Sequence, residues 1–249
     1  ESLQAGDIIS VRGHPARGTD RNYTLLLSLE KVDGSTLAQY SGDPTVVVSA
    51  TSLAGVWKGR SGSVGSFFGH LGEAALTQKG AAAKAAYDFY IDSPAARCIG
   101  PTVPAIVAVG LYVNEIELGD QAILIRSEFF DSDRIIYMDG REHPVDAERT
   151  NQGYSIGWWE DDVLVIDTVL FSDHRSGNGG GVPSGAQKHT VERYALAYDG
   201  THILIDVFLE DPEYLAEPFA GSIEWNFAPQ FELYRYDCDP EVSRRFRLD

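Results

Sequence analysis

The chain has 249 residues, of which 43% are hydrophobic and 23% charged, and its 37 acidic against 20 basic residues give a formal net charge of -17. This composition is typical of a globular protein, and the acidic excess argues against nucleic acid as a partner, because phosphates require a basic surface. The sequence has no run of the roughly 18 or more apolar residues that span a bilayer. It opens ESLQAGD without an initiator methionine, as expected of a processed or trimmed chain.

Residues 1–42 are predicted to form a partial small β unit. The segments DIISVRG, NYTLLLSLEKVDG and STLAQY each favour a strand, and the second ends in the turn dipeptide Asp33-Gly34. Three short strands bury little apolar surface by themselves. We therefore expect this unit to depend on further structure.

Residues 43–104 are predicted to be an irregular linker with short helices. Its Gly- and Ser-rich start carries the apolar anchors Trp57, Phe67 and Phe68. Thr77 is a good N-cap for the alanine-rich segment that follows, and Ser93 is a second cap with proline at the first helical position.

Residues 105–249 read as consecutive strands joined by tight turns. A meander without crossover helices favours antiparallel pairing, and closure into a barrel removes its two edges. The predicted fold class is therefore mainly β, an antiparallel calycin- or lipocalin-like up-and-down barrel with a short helical N-terminal wrap. The predicted strand segments are AIVAVGLYVNEIEL, QAILIRSEFF, RIIYMDG, GYSIGWWE, DVLVIDTVLF, HTVERYALAY, THILIDVFLE, GSIEWNFA and FELYRYDC.

Several strands have one apolar face and one mixed face. In HILIDVFLE the alternation puts Asp206 opposite the isoleucines, and in ILIRSEFF it puts Arg126 and Glu128 on one side. A barrel of about eight strands has room inside for side chains or for one small ligand. The mixed faces therefore either line a cavity or meet water.

The two cysteines, Cys98 and Cys238, lie 140 residues apart, which excludes a zinc knuckle or a CxxC redox pair built from them alone. A disulfide between them is the leading interpretation, and two buried free thiols are the alternative.

Several motifs resemble an uncharacterised family of exported bacterial proteins. They are YMDGREHP, GYSIGWWEDDVLVIDTVLF, HTVERYAL, LEDPEYLAEP and CDPE, which are similar to the family patterns DGRxHP, GxSxGxWExDxLVVDT and VERY over about residues 50–245. Asp161 stands where relatives tend to have glycine.

The resemblance implies a lipocalin-like β architecture and an exported protein of the bacterial periplasm, and it implies no established activity. The N-terminal segment similarly resembles the second half of a small β domain, whose first half would precede Glu1.

The charged end of the RIIYMDG strand is the first candidate site. Asp139 and Gly140 form a turn, Arg141 suits a carboxylate, and a histidine such as His143 can exchange a proton. The group could bind an anion or move a proton. Alternatively, Arg141 pairs with an aspartate and His143 caps a turn.

Asp167 is the second candidate, because VIDTV places this carboxylate among valines. A buried charge needs a partner, and Arg193 or Arg141 could supply it. The alternative is a general base with a raised pKa inside a cavity.

His174 lies in a Gly-rich loop and His189 begins the next strand, so a closing loop could bring both over a barrel mouth. Glu192, three residues after His189, should point to the opposite face of a regular strand. His143, His174 and His189 lack the short ligand spacing of a zinc site, and no metal or cofactor is predicted. The sequence has no serine-hydrolase elbow, P-loop or dinucleotide fingerprint.

Aromatic side chains could line an apolar pocket, or they could be plain core. They are Tyr154, Trp158, Trp159, Tyr194 and Phe208.

These residues give three functional hypotheses. The first is a β-barrel pocket for a small, largely apolar molecule with cofactor-independent acid-base chemistry of the lyase, hydratase or isomerase type. Its proton carriers would be His143, Asp139 and Asp167. Its substrate-binding residues would be Arg141, Trp158, Trp159, His174, His189 and Glu192. The second hypothesis is a carrier or sensor that uses the same pocket without turnover, and the third is a cell-envelope protein-interaction module.

Overall fold

The computed structural model describes residue 6 and residues 8–15, 24–34, 36–39 and 48–244, and the chain divides into two compact units, Glu1–Pro44 and Thr45–Asp249. The outermost residues of the three predicted N-terminal strands lie outside the described residues. The first unit contains a three-stranded antiparallel sheet in the order β1-β2-β3. Its strands are β1 Ile9–Pro15, β2 Thr24–Lys31 and β3 Thr36–Gln39.

The second unit is built on a closed nine-stranded barrel in the order β10-β11-β12-β4-β5-β6-β7-β8-β9, closed by pairing of β9 with β10. The prediction of a mainly β chain with a closed barrel is confirmed. One strand, β4, comes from the segment predicted to be a linker. The strands are β4 Gly55–Gly59, β5 Val113–Glu117, β6 Ala122–Ser127, β7 Ser132–Tyr137, β8 Tyr154–Glu160, β9 Val163–Val169, β10 His189–Leu196, β11 His202–Glu210 and β12 Phe219–Phe227.

The barrel is mixed, which corrects the prediction of an all-antiparallel meander. β7 and β8 are parallel neighbours, with Ile136 opposite Ser155 and Tyr137 opposite Ile156. Parallel neighbours cannot be joined by a tight hairpin, so residues 138–153 must return along the strands before β8 begins. The turn at Asp139-Gly140 thus starts a crossing segment, which we call the strap (residues 138–153).

The barrel interior is filled by side chains. Trp57, Tyr194 and Trp225 are at most 1% exposed, and they belong to one core with the inward isoleucines and leucines of the strands. The two indole N–H groups are satisfied, because Trp57 donates to the Leu53 carbonyl at 2.9 Å and Trp225 donates to the Val107 carbonyl at 2.8 Å.

The mixed strand faces point away from this core. Arg126 pairs with Glu115 and Glu117 on the outer side, and exposed Asp206 accepts a hydrogen bond from Ser222 at 2.5 Å. These charged groups lie on the outer face of the barrel and do not line its interior.

Short helices occupy much of the segment between β4 and β5. Thr77 caps α2 as predicted, because its hydroxyl accepts from the Gly80 N–H at 3.0 Å. Ser93 precedes a short 3-10 helix with proline at its start and makes no side-chain cap. Within the described residues the helices are α1 Ser61–Gly72, α2 Gln78–Ala85, α3 Phe89–Asp92, the 3-10 helix Pro94–Arg97, a single 3-10 turn at Phe129–Asp131 and, near the C-terminus, α4 Pro240–Arg244.

The predicted disulfide is confirmed. Cys98 and Cys238 are bonded, with their Cα atoms 5.8 Å apart, so the end of the 3-10 helix is tied to the C-terminal segment. The covalent link spans 140 residues of sequence.

Candidate functional site

A cavity of about 250 Å³ lies beside the 3-10 helix and is lined mainly by aromatic and apolar groups. We call it the aromatic cavity. A pocket with an apolar lining and few polar groups suits a small, largely apolar molecule. Its aromatic walls are Phe68, Tyr87, Phe89, Phe129 and Phe130, with Pro94, Pro101, Ala105, His174 and residues 179–181 between them.

One wall of the aromatic cavity is the turn between β6 and β7. Phe130 and Asp131 both have positive φ, 61° and 46°. A bulky L-residue rarely adopts this left-handed conformation, which costs roughly 1–2 kcal/mol. Glycine or asparagine would normally occupy such a turn, so the sequence keeps a phenylalanine here at a local conformational cost.

The C-terminal segment holds this wall in place. The Tyr236 ring packs on Phe130 with ring centroids 4.5 Å apart, and the Tyr236 backbone N–H donates to Asp131 Oδ1 at 2.9 Å. Two residues later, Cys238 forms the disulfide to Cys98, directly after the 3-10 helix that lines the cavity. The disulfide therefore connects two walls of the aromatic cavity.

The Gly-rich loop forms another wall, and glycine is required there. Gly181 has a φ of 82°, and a Cβ at this position would lie 2.5 Å from the Tyr87 ring. Gly179 is also in the left-handed region, and its Cβ would lie 2.7 Å from Leu71. The loop backbone can approach the cavity only because these side chains are absent.

His174 faces the aromatic cavity as a neutral group. Its Nδ1 accepts from the Ser176 N–H at 3.1 Å, while its Nε2 donates to the Gly100 carbonyl at 3.2 Å. Burial, and then the nearby charge of Lys188, lower the pKa of His174 to about 4. The histidine predicted to close over the barrel mouth thus holds its loop against Gly100.

Lys188 lies at one end of the barrel, next to this Gly-rich loop. The Lys188 ammonium is buried and donates to Thr102 Oγ1, the Val103 carbonyl and the Gly177 carbonyl at 2.5–2.7 Å. It also lies 4.5 Å from the Phe171 ring centroid. Burial lowers the pKa of Lys188 to about 7. When it is protonated, its three N–H donors connect the Gly-rich loop to the segment that carries Pro101 and Ala105.

On the outside of the barrel, the predicted residues His143, Asp167 and His189 come together. His143 Nε2 lies 2.7 Å from Asp167 Oδ1, and His189 Nε2 lies 3.1 Å from both carboxylate oxygens. His189 Nδ1 faces Glu210 at 3.4 Å. We call this group of four side chains the histidine cluster. It lies where the strap crosses β9, β10 and β11.

The ion pairs of the histidine cluster shift two pKa values. Burial raises the pKa of Asp167, but hydrogen bonds from His189 and His143 outweigh this effect and hold it below its usual value. The hydrogen bond to Asp167 raises the pKa of His189 against the effect of burial. The histidines therefore replace the arginine partners predicted for Asp167, and the prediction of Arg193 or Arg141 as its partner is wrong.

Those two arginines are engaged elsewhere. Arg193 donates to Glu160 at 2.8 Å. Arg141 pairs with Asp139, donates to the Tyr154 hydroxyl at 3.1 Å and stacks 3.9 Å from the Tyr137 ring centroid. Of the two alternatives for Arg141, the structure therefore shows the one in which it pairs with an aspartate, Asp139 of its own turn.

The histidine cluster has the geometry of a structural clamp. His143 Nδ1 is buried without a hydrogen-bond partner among the described residues, while both Nε2 atoms face Asp167. A general base needs a ring nitrogen that can reach a substrate. In this conformation neither histidine presents one, and neither lines the aromatic cavity.

The remaining predicted residues lie elsewhere. Glu192 points into the barrel, opposite to His189 as predicted, and forms a bidentate pair with Arg134 while accepting from the Tyr194 hydroxyl at 2.9 Å. Trp158 and Trp159 are 41% and 45% exposed on β8 and do not line the aromatic cavity.

Sequence reasoning did not place the five aromatic walls at one site. The signal available was the two Phe-Phe pairs, in SFFG and EFFD, each beside a glycine or a turn residue. Arg134 also escaped notice, although SDRIIY puts it on the same face as Ile136. An inward glutamate at position 192 requires such a partner.

Comparison with models of known protein families gives no match, and a search of curated proteins gives none either. Among the described residues, no group of three or more His, Cys, Asp and Glu side chains is placed to hold a metal ion. None of the helices within the described ranges combines the length and apolar character needed to cross a membrane.

Proposed function

We propose that this protein binds a small, largely apolar molecule in the aromatic cavity and does not transform it. The observation that carries the proposal is the convergence of five aromatic side chains from three separate segments on one cavity of about 250 Å³. Pockets for drug-sized ligands are usually about 300 Å³ or larger, so this volume suits a molecule of one or two rings.

The conformation of Phe130 supports this proposal. Local strain persists where surrounding structure enforces it, and it concentrates at functional sites. Phe130 is enforced by Tyr236, by the disulfide two residues further and by Gly100, whose Cβ would lie 2.7 Å from Phe130. A phenylalanine kept in this conformation at a cavity wall is consistent with selection for binding.

The site differs in place from the one proposed on sequence grounds. A β-barrel could hold a small ligand, but here the interior is occupied by Trp57, Tyr194, Trp225, aliphatic side chains and the buried Arg134–Glu192 pair. The proposed ligand therefore lies beside the barrel end and not in its centre. In this sense we propose a lipocalin-like carrier or sensor whose site is built by the segments around the barrel.

Acid-base chemistry is the second candidate function, favoured by the 2.7 Å contact between His143 and Asp167. It ranks lower because this contact uses the Nε2 atom and the other ring nitrogen is enclosed. The variant His143→Gln distinguishes the two candidate functions. In a carrier it leaves ligand binding unchanged, and no turnover is seen before or after the substitution. In an enzyme of this type it abolishes a turnover that the wild-type protein shows.

We also propose that the protein is exported, and that it belongs to the periplasmic family its motifs resemble. The Cys98–Cys238 disulfide and the helices described above are compatible with an exported soluble protein. Fractionation of the native organism would test this location.

The binding proposal is tested by filling the aromatic cavity. Ala105 lines the cavity, so Ala105→Leu should reduce the affinity for the neutral probe 2-naphthol at least about tenfold in isothermal titration calorimetry. Ala81→Leu, at an exposed position of α2, makes the same chemical change away from the cavity lining and should leave the affinity unchanged. Equal affinities in the two variants would refute the proposal. Native mass spectrometry of the purified protein should also show a bound species that Ala105→Leu lacks.

A further inference from the structure

Next to the aromatic cavity lies a second cavity of about 300 Å³ that carries positive charge. We call it the arginine cavity. It is lined by Ile91, Asp92, Ser93, Ala96, Arg97 and Arg175. The chain as a whole has a net charge of -17, so two arginines facing one concave site run against the overall charge of the protein.

The two cavities share structural elements. Ser93 lines both, and the 3-10 helix contributes Pro94 and Ala95 to the aromatic cavity and Ala96 and Arg97 to the arginine cavity. The charge of Arg97 is also one cause of the lowered pKa of His174, which faces the aromatic cavity. A molecule in the aromatic cavity therefore lies within electrostatic reach of the arginine cavity.

Arg175 is held in a defined position. Its Nη1 donates to the Gly181 carbonyl at 2.7 Å and its Nη2 donates to the Ala83 carbonyl at 2.8 Å, while its guanidinium lies 4.8 Å from the Tyr87 ring centroid. These partners are neutral, so they order the side chain without cancelling its charge. A cation ordered in advance loses little entropy when it binds an anion.

Neither arginine has a carboxylate partner in the part of the chain that the structure describes. Asp92 lines the same cavity, but its Oδ2 accepts from the Asp88 N–H at 2.9 Å and forms no ion pair with Arg97 or Arg175. The lining thus carries two positive charges and one negative charge. Guanidinium groups bind carboxylates through paired, charge-assisted hydrogen bonds.

We propose that the ligand is an aromatic carboxylate, whose ring lies in the aromatic cavity and whose carboxylate is bound by Arg97 and Arg175. This inference rests on the proposed function, because it adds the charged group to the apolar molecule proposed above. An uncharged apolar ligand would use the first cavity alone.

The test compares two probes that share one ring system and differ in charge, 2-naphthoate and 2-naphthamide. At low ionic strength, wild-type protein should bind 2-naphthoate about tenfold more tightly in isothermal titration calorimetry. Added NaCl should reduce this preference, because the arginine cavity is open to solvent. In Arg97→Gln the preference should fall to about threefold or less while the affinity for 2-naphthamide is kept.

Arg193→Gln is the matched control, because it removes the same charge at a residue that lines neither cavity. It should leave the preference for 2-naphthoate unchanged. Equal binding of both probes to the wild-type protein, or a preference that survives Arg97→Gln, would overturn the inference and leave the proposed function intact. Failure of both probes to bind would overturn the two proposals together.

Discussion

Removal of the Cys98–Cys238 disulfide should destabilise the protein strongly. The bond closes a loop of 140 residues. Without it the unfolded chain gains conformational entropy, which lowers the free energy of unfolding by about 5 kcal/mol in the chain-entropy model. Net stabilities of natural domains are about 5–15 kcal/mol. The double variant Cys98→Ser/Cys238→Ser should therefore lose a large share of its free energy of unfolding.

Equilibrium unfolding in urea, followed by tryptophan fluorescence, measures this loss. Wild-type protein reduced with dithiothreitol is the matched control, because it breaks the same bond without changing the sequence, and it should unfold at nearly the same urea concentration as the variant. Labelling of unreduced, denatured wild-type protein should find no free thiol. A loss below about 1 kcal/mol would contradict the reasoning, because it would mean that the loop ends stay together without the bond.

Three further predictions follow from single side chains. Phe130→Gly should change the free energy of unfolding by less than about 1 kcal/mol in urea unfolding, because relief of the left-handed strain offsets the lost ring contacts. The same variant should bind 2-naphthol at least about tenfold more weakly in calorimetry. A large loss of stability with unchanged binding would contradict this prediction. The contribution of His189 should depend on pH. Because the pKa of His189 is raised above 6.5, the stabilisation by His189 is complete below pH 6.5 and is lost as the pH rises through the raised pKa. The pKa of Asp167 lies below 3.8, so the stabilisation by Asp167 is lost on acidification. The difference in unfolding free energy between wild type and His189→Gln should thus be greatest, about 1 kcal/mol, between pH 3.8 and 6.5, and a difference that stays constant up to pH 9 would argue against the pair. Lys188→Met should cost about 3 kcal/mol in urea unfolding, because three oxygens lose their buried donor, and a neutral result would show that the ammonium does not hold the barrel end.

The β-barrel could be predicted because its signals are local. Period-two alternation and turn dipeptides such as Asp199-Gly200 are set by neighbouring residues, and β11 has the predicted alternation of buried and exposed side chains. The parallel pairing of β7 with β8 could not be predicted in this way. The Asp139-Gly140 signal is the same for a hairpin and for the start of a crossing segment.

The candidate sites show the same division. The sequence identified His143, Asp167 and His189 as chemically notable side chains, but it could not give their partners, because side chains on three different elements meet only when the strands pair and the strap crosses them. The aromatic cavity was harder to foresee. Its walls come from segments separated by up to about a hundred residues, and each phenylalanine is an ordinary core candidate by itself.

The mainly β class, the closed barrel and the Cys98–Cys238 pair could be inferred from the amino-acid sequence, because alternation, turn chemistry and the presence of only two cysteines leave few alternatives. Only the folded chain shows which strand faces turn inward, that the barrel interior is filled, and that the aromatic cavity lies beside the end of the barrel. The physical reason is that hydrogen-bonding periodicity acts along the chain, whereas a cavity depends on how distant side chains fill, or fail to fill, the same volume.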